Sequence, residues 1–401
     1  MSVAIDWEPM EAAVSVILDH RGMTPKKLGS EFVPNGIPVA SAMLVKDGLI
    51  DLTDARFVDD ETYRKWMPEP LQKGDVILTS EAPLGRVAQV DTNSPLVLGQ
   101  RLFALRGRSG HLDSRYLYYA LQSSRVSNDI QSRATGTTVL GIRQSALRQV
   151  KLPIRPICVQ QAIAEVLGAL DDKIAANRKL VTTAESYLRA IFDRDLASTD
   201  LPTSPLDSIV QLNPKRPAPK DPAPLIPMQA LPTPGITIPE FTRDTPKGGV
   251  RFTNGDTLLA RITPCLENGK TAFVGSLAEG EIGIGSTEYI VLRSIERYPL
   301  EVSYFIATDA TFRAEAIRRM TGTSGRQRVK AQDVAKVPIH LTSDRAAMRQ
   351  FGDLARSCFQ HAEILSAESR TLASLRDTLL PALMDGTIRV KDAETHVEEV
   401  L

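Results

Sequence analysis

Apolar positions recur at helical spacing along two stretches of the chain. From Val159 to about Asp195, Ile163, Leu167, Leu170, Ile174, Asn177, Val181, Ala184, Leu188 and Ile191 lie alternately four and three residues apart, which winds them onto one stripe of a helix, as in a coiled-coil seam. Asn177 is the one polar member; such an Asn either fixes register and pairing at a cost in stability or sits at an edge that touches solvent. From about Ala346 a second stripe runs through Met348, Phe351, Ala355, Cys358, Ala362, Leu365, Ser369, Leu372 and, after a one-residue drift, Leu375 and Leu379. Pro381 and Gly386 are its expected stop signals. Two such helices bury their stripes by pairing. Ile163, Leu167, Leu170, Ile174, Asn177, Val181 and Leu188 are therefore expected on the seam with Phe351, Leu365, Leu372 and Leu379. Antiparallel pairing predicts a rod, about 36 helical residues spanning roughly 54 Å at 1.5 Å per residue.

Outside these helices the pattern changes to period two and is written twice. KGDVILTSEAPLGRVAQV (73–90) has its partner in NGDTLLARITPCLENGKTAFV (254–274), each a Gly-Asp turn, an alternating run, a Gly-containing turn and a second strand. QRLFALRG (100–107) answers STEYIVLRS (286–294), and the helical SRYLYYALQSSRVSNDIQ (114–131) answers VSYFIATDATFRAEAI (302–317). RATGTTVLGIRQSALRQVKLPI (133–154) is matched by RMTGTSGRQRVKAQDVAKVPI (319–339). The offsets, 256 − 75 = 181, 321 − 135 = 186 and 338 − 153 = 185, are those of a duplicated domain, since solenoid repeats run to about 20 to 50 residues.

The expected fold class is α+β: two similar mixed α/β domains separated by two long helices that pair as an antiparallel coiled coil, an internal duplication with pseudo-two-fold character. The expected segments are 1–155 and 201–342 for the domains, 156–200 and 343–390 for the spacer helices, and 391–401 for a C-terminal tail. Eleven prolines between Pro202 and Pro239 predict a connection over about the first third, then extended backbone entering the second domain.

Composition adds a class. With 401 residues, 42% apolar and 24% charged, the chain reads as a soluble globular protein. Three separated cysteines without a C-x-x-C suggest neither a disulfide framework nor a cysteine zinc site. Asp6, Glu8 and Glu11 precede only a short apolar run, unlike a secretory signal, and no run approaches a membrane span; a cytoplasmic location is expected. The 48 basic and 48 acidic side chains cancel, but their distribution does not. Arg133, Arg143, Arg148, Lys151 and Arg155 stand without an acid between them, and Arg318, Arg319, Arg326, Arg328, Lys330 and Lys336 stand with Asp333 alone. Such clusters suit a phosphate backbone.

Catalytic constellations do not emerge. NGKT (268–271) would need Gly at 264 to be a phosphate loop and has Pro264. Asn213-Pro214 continues with Lys215 and lacks the signature of an amino-methyltransferase, and the five histidines have no metal-ligand spacing. Paired domains, basic loops and a rigid spacer without an active site describe a device that recognises two things at a set distance. Duplex DNA fits, because half-sites lie at fixed rise and rotation. The competing reading is a non-catalytic two-domain scaffold binding proteins or glycans, which needs no basic loops.

VQQAIAEVLGALDDKIAANRKL after KLPI, LRDTLLPALMDGTIRV (375–390), TSEAPLGRVA (79–88) with ATGTTVLGI (134–142), and ARITPCLENGKTAFV (260–274) with GSTEYIVLR (285–293) resemble, in order, segments of the specificity subunits of type I restriction-modification enzymes. The likeness runs from about Val16 to Val390. Gln160-Gln161 stands where the family usually has Glu-Gln, and the second helix has Cys358, Phe359 and Gln360 in place of the Leu-Asp-x-x-Ile signature. The resemblance implies a subunit that catalyses nothing, whose two target-recognition domains each read half of a split double-stranded DNA target. It implies docking of two methyltransferase subunits and, through them, restriction subunits. S-adenosylmethionine, ATP and magnesium would be used by those partners, with no cofactor or metal on this chain. The residues expected at DNA are Thr137, Arg143 and Gln144 in the first domain, and Arg261, Lys270, Ser286, Thr287, Glu288, Arg326, Gln327 and Arg328 in the second. Arg and Gln make paired bonds to guanine and adenine edges, while Ser, Thr and Lys favour phosphates.

Overall fold

The computed structural model describes residues 5–46, 48–245, 248–323 and 325–398. By compactness the chain forms two units: Met1–Asp172 with Leu372–Leu401, and Lys173–Thr371. The divide falls inside both long helices, so each unit holds one recognition domain and part of each helix.

In the first unit the central sheet is antiparallel, in the order Val14–Asp19, Leu102–Gly107, Val76–Thr79, Val87–Gln89. A smaller sheet sets Ile37–Ala40 between Arg56–Val58, antiparallel, and Val97–Leu98, parallel. Asp6–Pro9 pairs with Lys151–Ile154. The second unit repeats this plan. Its central sheet runs Val210–Leu212, Tyr289–Ser294, Thr257–Ala260, Thr271–Phe273, and Ala223–Ile226 lies between Thr242–Asp244 and Gly283–Gly285. Thr203–Pro205 pairs with Pro338–His340. One strand, Val250–Phe252, is added beside Gly283–Gly285.

The Gly-Asp turns show why the duplication persists in sequence. Gly74 and Gly255 adopt φ of 95° and 87°, which a side chain tolerates poorly. The following Asp75 and Asp256, 2% and 0% exposed, accept hydrogen bonds from the backbone of Gln72 and Thr253. Each is neutralised from the neighbouring strand, Asp75 by Arg106 at 2.8 Å and Asp256 by Arg293 at 2.8 Å. A buried carboxylate is stable only when paired and hydrogen-bonded, so these residues lock strand order in both domains.

The first long helix spans Ile157–Ile191 and closes in a π turn at Phe192–Leu196; the second spans Arg345–Asp385. In the first unit they run antiparallel: Arg376 meets Asp171 at 2.7 Å, and Arg155 donates to the Met384 carbonyl at 3.0 Å. In the second unit Asn177, 4% exposed, donates to Glu368 at 2.7 Å and Ser369 at 3.3 Å. Asn177 is therefore a buried cross-helix contact and not a solvated edge. Ile163, Leu167, Leu170, Ile174, Leu188, Phe351, Leu372 and Leu379 are buried, while Val181 and Leu365 are half-buried.

Four details differ from expectation. Phe359, and not Cys358, continues the second stripe at 3% exposure, because Phe359 packs edge-on against Phe273 and Tyr304; the helix buries residues against its recognition domain as well as its partner helix. Pro381 lies inside the helix, which ends at Asp385 before Gly386 (φ 80°); burial of Leu383 and Met384 offsets the one backbone donor that Pro lacks. Residues expected as a tail form the helix Val390–Glu398, burying Ala393 and Val397. The Pro-rich stretch is structured from its start, since Thr203–Pro205 and Val210–Leu212 are already sheet strands.

Within each unit one helical glycine lets the long helix lie close against the domain of that unit. At Gly168 a Cβ would meet the Arg115 guanidinium at 2.4 Å, and at Gly352 one would meet Pro299 at 2.3 Å. No helix among the described residues is long and apolar enough to cross a membrane.

Candidate nucleic-acid interface

At one end of each central sheet, three segments meet through matching backbone hydrogen bonds. In the first domain Ser80 N donates to Arg101 O at 2.8 Å, Ile142 N to Ser80 O at 2.9 Å, and Thr135 and Gly141 bond each other at 2.8 and 3.0 Å. In the second, Arg261 N donates to Glu288 O at 3.0 Å, Val329 N to Arg261 O at 3.0 Å, and Thr321 and Arg328 bond each other at 2.9 Å. Ser80 thus corresponds to Arg261, Arg101 to Glu288, and Gly141 to Arg328. A cis X-Pro bond follows in both, Ala82-Pro83 and Thr263-Pro264.

This correspondence re-registers the TGT loops. Six residues separate Thr135 from Gly141 and seven separate Thr321 from Arg328, so the second loop is one residue longer. Arg143 immediately precedes the short helix Gln144–Leu147, and its counterpart is Lys330, which immediately precedes Ala331–Ala335; Arg143-Gln144 and Arg326-Gln327 are not equivalent pairs.

In the second domain Glu288 is the node. Arg328 Nε donates to both its carboxylate oxygens, at 2.9 and 3.0 Å, and Arg261 Nε reaches it at 3.2 Å. Hydrogen bonding from Arg328, with a smaller share from Arg261, holds the Glu288 carboxyl below the usual range despite its partial burial. Two arginines on one carboxylate leave a positive charge uncompensated. Ser286 Oγ accepts from Glu288 N at 3.1 Å, Thr287 is exposed, and Gln327 O accepts from Thr263 N at 3.0 Å. Arg326 is exposed, with no acid in ion-pair reach among the described residues. Lys270 stands apart in role: its ammonium donates to the carbonyls of Met228 at 2.9 Å and Leu231 at 3.1 Å, so it ties the turn at Met228–Ala230 in place.

In the first domain Thr137 and Arg143 are exposed and Gln144 is half-buried. Three further residues join them that sequence reasoning did not single out. Arg21 grips Asp19 and donates to Ile142 O at 2.9 Å, buttressing the loop. Glu81 forms a bridge with Gly141 and meets Arg101 at 3.0 Å. With Gly22 and Gln100 these residues line an open cavity of about 450 Å³. The signal was available, because aligning QRLFALRG with STEYIVLRS sets Arg101 on Glu288.

The family model described as "Type I restriction modification DNA specificity domain" matches residues 23–185. The type I restriction enzyme MjaVIII specificity subunit of Methanocaldococcus jannaschii is 28% identical over 37% of this chain and 36% of its own length. The EcoAI specificity subunit of Escherichia coli is 32% identical over 36% of this chain and 25% of its own length. The chain thus spans well under half the length of these curated relatives. The crystal structure of the type I restriction-modification system S subunit from M. genitalium covers 95% of this chain and 96% of that one, with a TM-score of 0.56 and 15% identity, a likeness of fold. The chain is thus similar in sequence, over residues 23–185, to the DNA specificity domain of type I restriction-modification enzymes, and similar in fold, over nearly its whole length, to a solved S subunit of such a system.

Proposed function

We propose that this chain is the DNA sequence-recognition subunit of a type I restriction-modification complex, non-catalytic itself, each unit reading one part of a bipartite double-stranded target. The observation that carries this is the pair of matched sheet ends: one backbone frame, built twice, holds side chains of different charge at equivalent positions. A frame that keeps its backbone and changes its exposed polar groups suits two readers of different base sequences, since phosphate contacts position and base-edge contacts specify. The uncompensated positive charge at Glu288, together with exposed Arg143 and Arg326, supports a polyanionic ligand.

Leu180 and Tyr187 on the first helix, and Leu354 and Ile364 on the second, are exposed at 50%, 59%, 37% and 62%. Large apolar side chains on the outside of a helix pair favour a helical protein partner. In this reading they dock the methyltransferase subunits, which carry the restriction subunits and use S-adenosylmethionine, ATP and magnesium.

The test is selection of purified full-length protein on a randomised duplex pool, followed by sequencing of the bound fraction. Two enriched blocks at constant separation are expected; a pool without enrichment, or with a single block, contradicts the reading.

A further inference from the structure

Resting on that reading and deepening it, we propose that Glu81 and Arg101 form one specificity-determining pair that reads a single C·G base pair, Arg101 donating to guanine O6 and N7 while Glu81 accepts from the cytosine N4 amino group. In this pair Arg101 stands at the place of Glu288 in the second domain, as the matching backbone bonds of Ser80 and Arg261 establish, and Glu81, next to Ser80, stands at the place of Ile262, bridging Gly141 as Ile262 bridges Arg328. Its charge order is reversed. The base stands before the central strand Leu102–Gly107 and the acid after Val76–Thr79, whereas in the second domain the acid stands before Tyr289–Ser294.

Three features favour reading over scaffolding. First, Arg101 and Glu81 are 53% and 41% exposed and touch through Arg101 Nε at 3.0 Å. An exposed pair of this kind contributes little to stability, so exchanging it for base contacts costs little. Second, Arg101 has φ 64°, left-handed backbone that a non-glycine residue adopts at some cost and that clusters at functional sites; the bond from Ser80 N to its carbonyl holds it there. Third, both side chains line the open cavity with Asp19, Arg21 and Gln100, against the loop that carries Thr137.

An acid beside phosphates is repelled unless it accepts a hydrogen bond. In the major groove cytosine N4 and adenine N6 are the donors, and a guanidinium on the same base pair requires guanine, which leaves C·G. Glu288, already gripped by two arginines, has no comparable freedom, so the two domains read different bases at equivalent places.

The experiment selects full-length wild type, Arg101→Gln and Glu81→Gln on the same randomised duplex pool and measures the salt dependence of binding to the wild-type consensus. Both variants are expected to lose preference at one shared base pair of one block, on the order of tenfold or more for Arg101→Gln, with the other block intact and the salt slope nearly unchanged. Unaltered preference at every position in both variants overturns the proposal. So does uniform weakening on all sequences with a reduced slope, the mark of a phosphate contact. A wild type that selects no sequence overturns the DNA-reading function itself, and this pair with it; equal melting of the three proteins separates either result from misfolding.

Discussion

The two recognition domains share their strand order and differ in what holds and decorates it. Asp75 shares Arg106 with Glu69, which lies at 2.9 Å from that guanidinium, whereas Asp256 holds two arginines, Arg216 and Arg293, both at 2.8 Å. At the sheet ends the contrast keeps its direction: a balanced pair, Glu81 with Arg101, in the first domain against two arginines on Glu288 in the second. Buried charge sets the frame and exposed charge varies freely on it. Duplication could therefore keep the architecture while the chemistry of the two tips diverged.

The largest effect should come from the frame. Removing one member of a buried ion pair costs about 3 to 5 kcal/mol, because it strands the other. Asp256→Ala strands two arginines and is expected at or near that range in the second unit. Asp75→Ala should cost less, since Arg106 keeps Glu69. Urea denaturation of both variants checks the order; equal losses would break the contrast between the two turns.

Acidity separates the units next. Glu185, Glu301 and Glu363, all in the second unit, are pushed up by burial. Lowered carboxyls occur in both units, Asp51 and Asp59 in the first, chiefly by hydrogen bonds from Thr53 and Thr62, and Glu288 in the second, so it is the raised ones that set the units apart. Glu363 is raised from 4.5 to about 7, and its carboxylate oxygens find no hydrogen-bond partner among the described residues. A carboxyl whose folded value is raised binds its proton more tightly in the fold, so stability is full below about 4.5 and falls as pH climbs through about 7. The loss amounts to about 3 kcal/mol at most. Glu363→Gln should therefore stabilise the protein at pH 8 and leave it nearly unchanged at pH 4.5. Denaturation midpoints that stay parallel across this range would remove Glu363 as the cause.

A smaller change belongs to the second tip. Arg328→Ala removes the guanidinium that Glu288 organises and is expected to relax base preference in one block, by about 1 to 3 kcal/mol. Arg326→Ala, an exposed arginine outside that node, should weaken all sequences alike and lower the salt slope by about one. Interchanged outcomes would reverse the two roles.

Much of this frame was legible in the chain. The Gly-Asp turns, the alternating runs and the heptad stripes have short-range physical causes, and each reappears as a turn, a strand or a buried seam. Asn177 was readable as a pairing residue for the same reason. Cys358 was misread because a heptad count ignores the recognition domain, against which Phe359 packs. Lys270 looked like a phosphate ligand since its carbonyl partners, Met228 and Leu231, lie about forty residues away. Glu81 was hidden for the opposite reason: nothing in a run such as TSEAPLGRVA marks one exposed acid above another until the backbone bonds align it with the second domain. Loop length hid the register of the TGT loops, which one inserted residue shifts.

The smallest effect on stability should carry the clearest effect on assembly. The exposed large apolar residues of the two helices, Leu180, Tyr187, Leu354 and Ile364, all belong to the second unit. A surface substitution there changes stability by no more than about 0.5 kcal/mol, because these side chains already meet water in the free chain. In a docked complex the same atoms would be desolvated, and an aspartate placed among them would be buried without a partner. Leu180→Asp with Tyr187→Asp is therefore expected to leave the melting temperature nearly unchanged and, on the proposed docking of two methyltransferase subunits, to reduce the number retained per chain towards one. Mass measurement of the reconstituted complex reads that number directly. Full retention of both would mean that the partners grip other surfaces, and that the two units differ in exposed apolar area for a reason unrelated to docking.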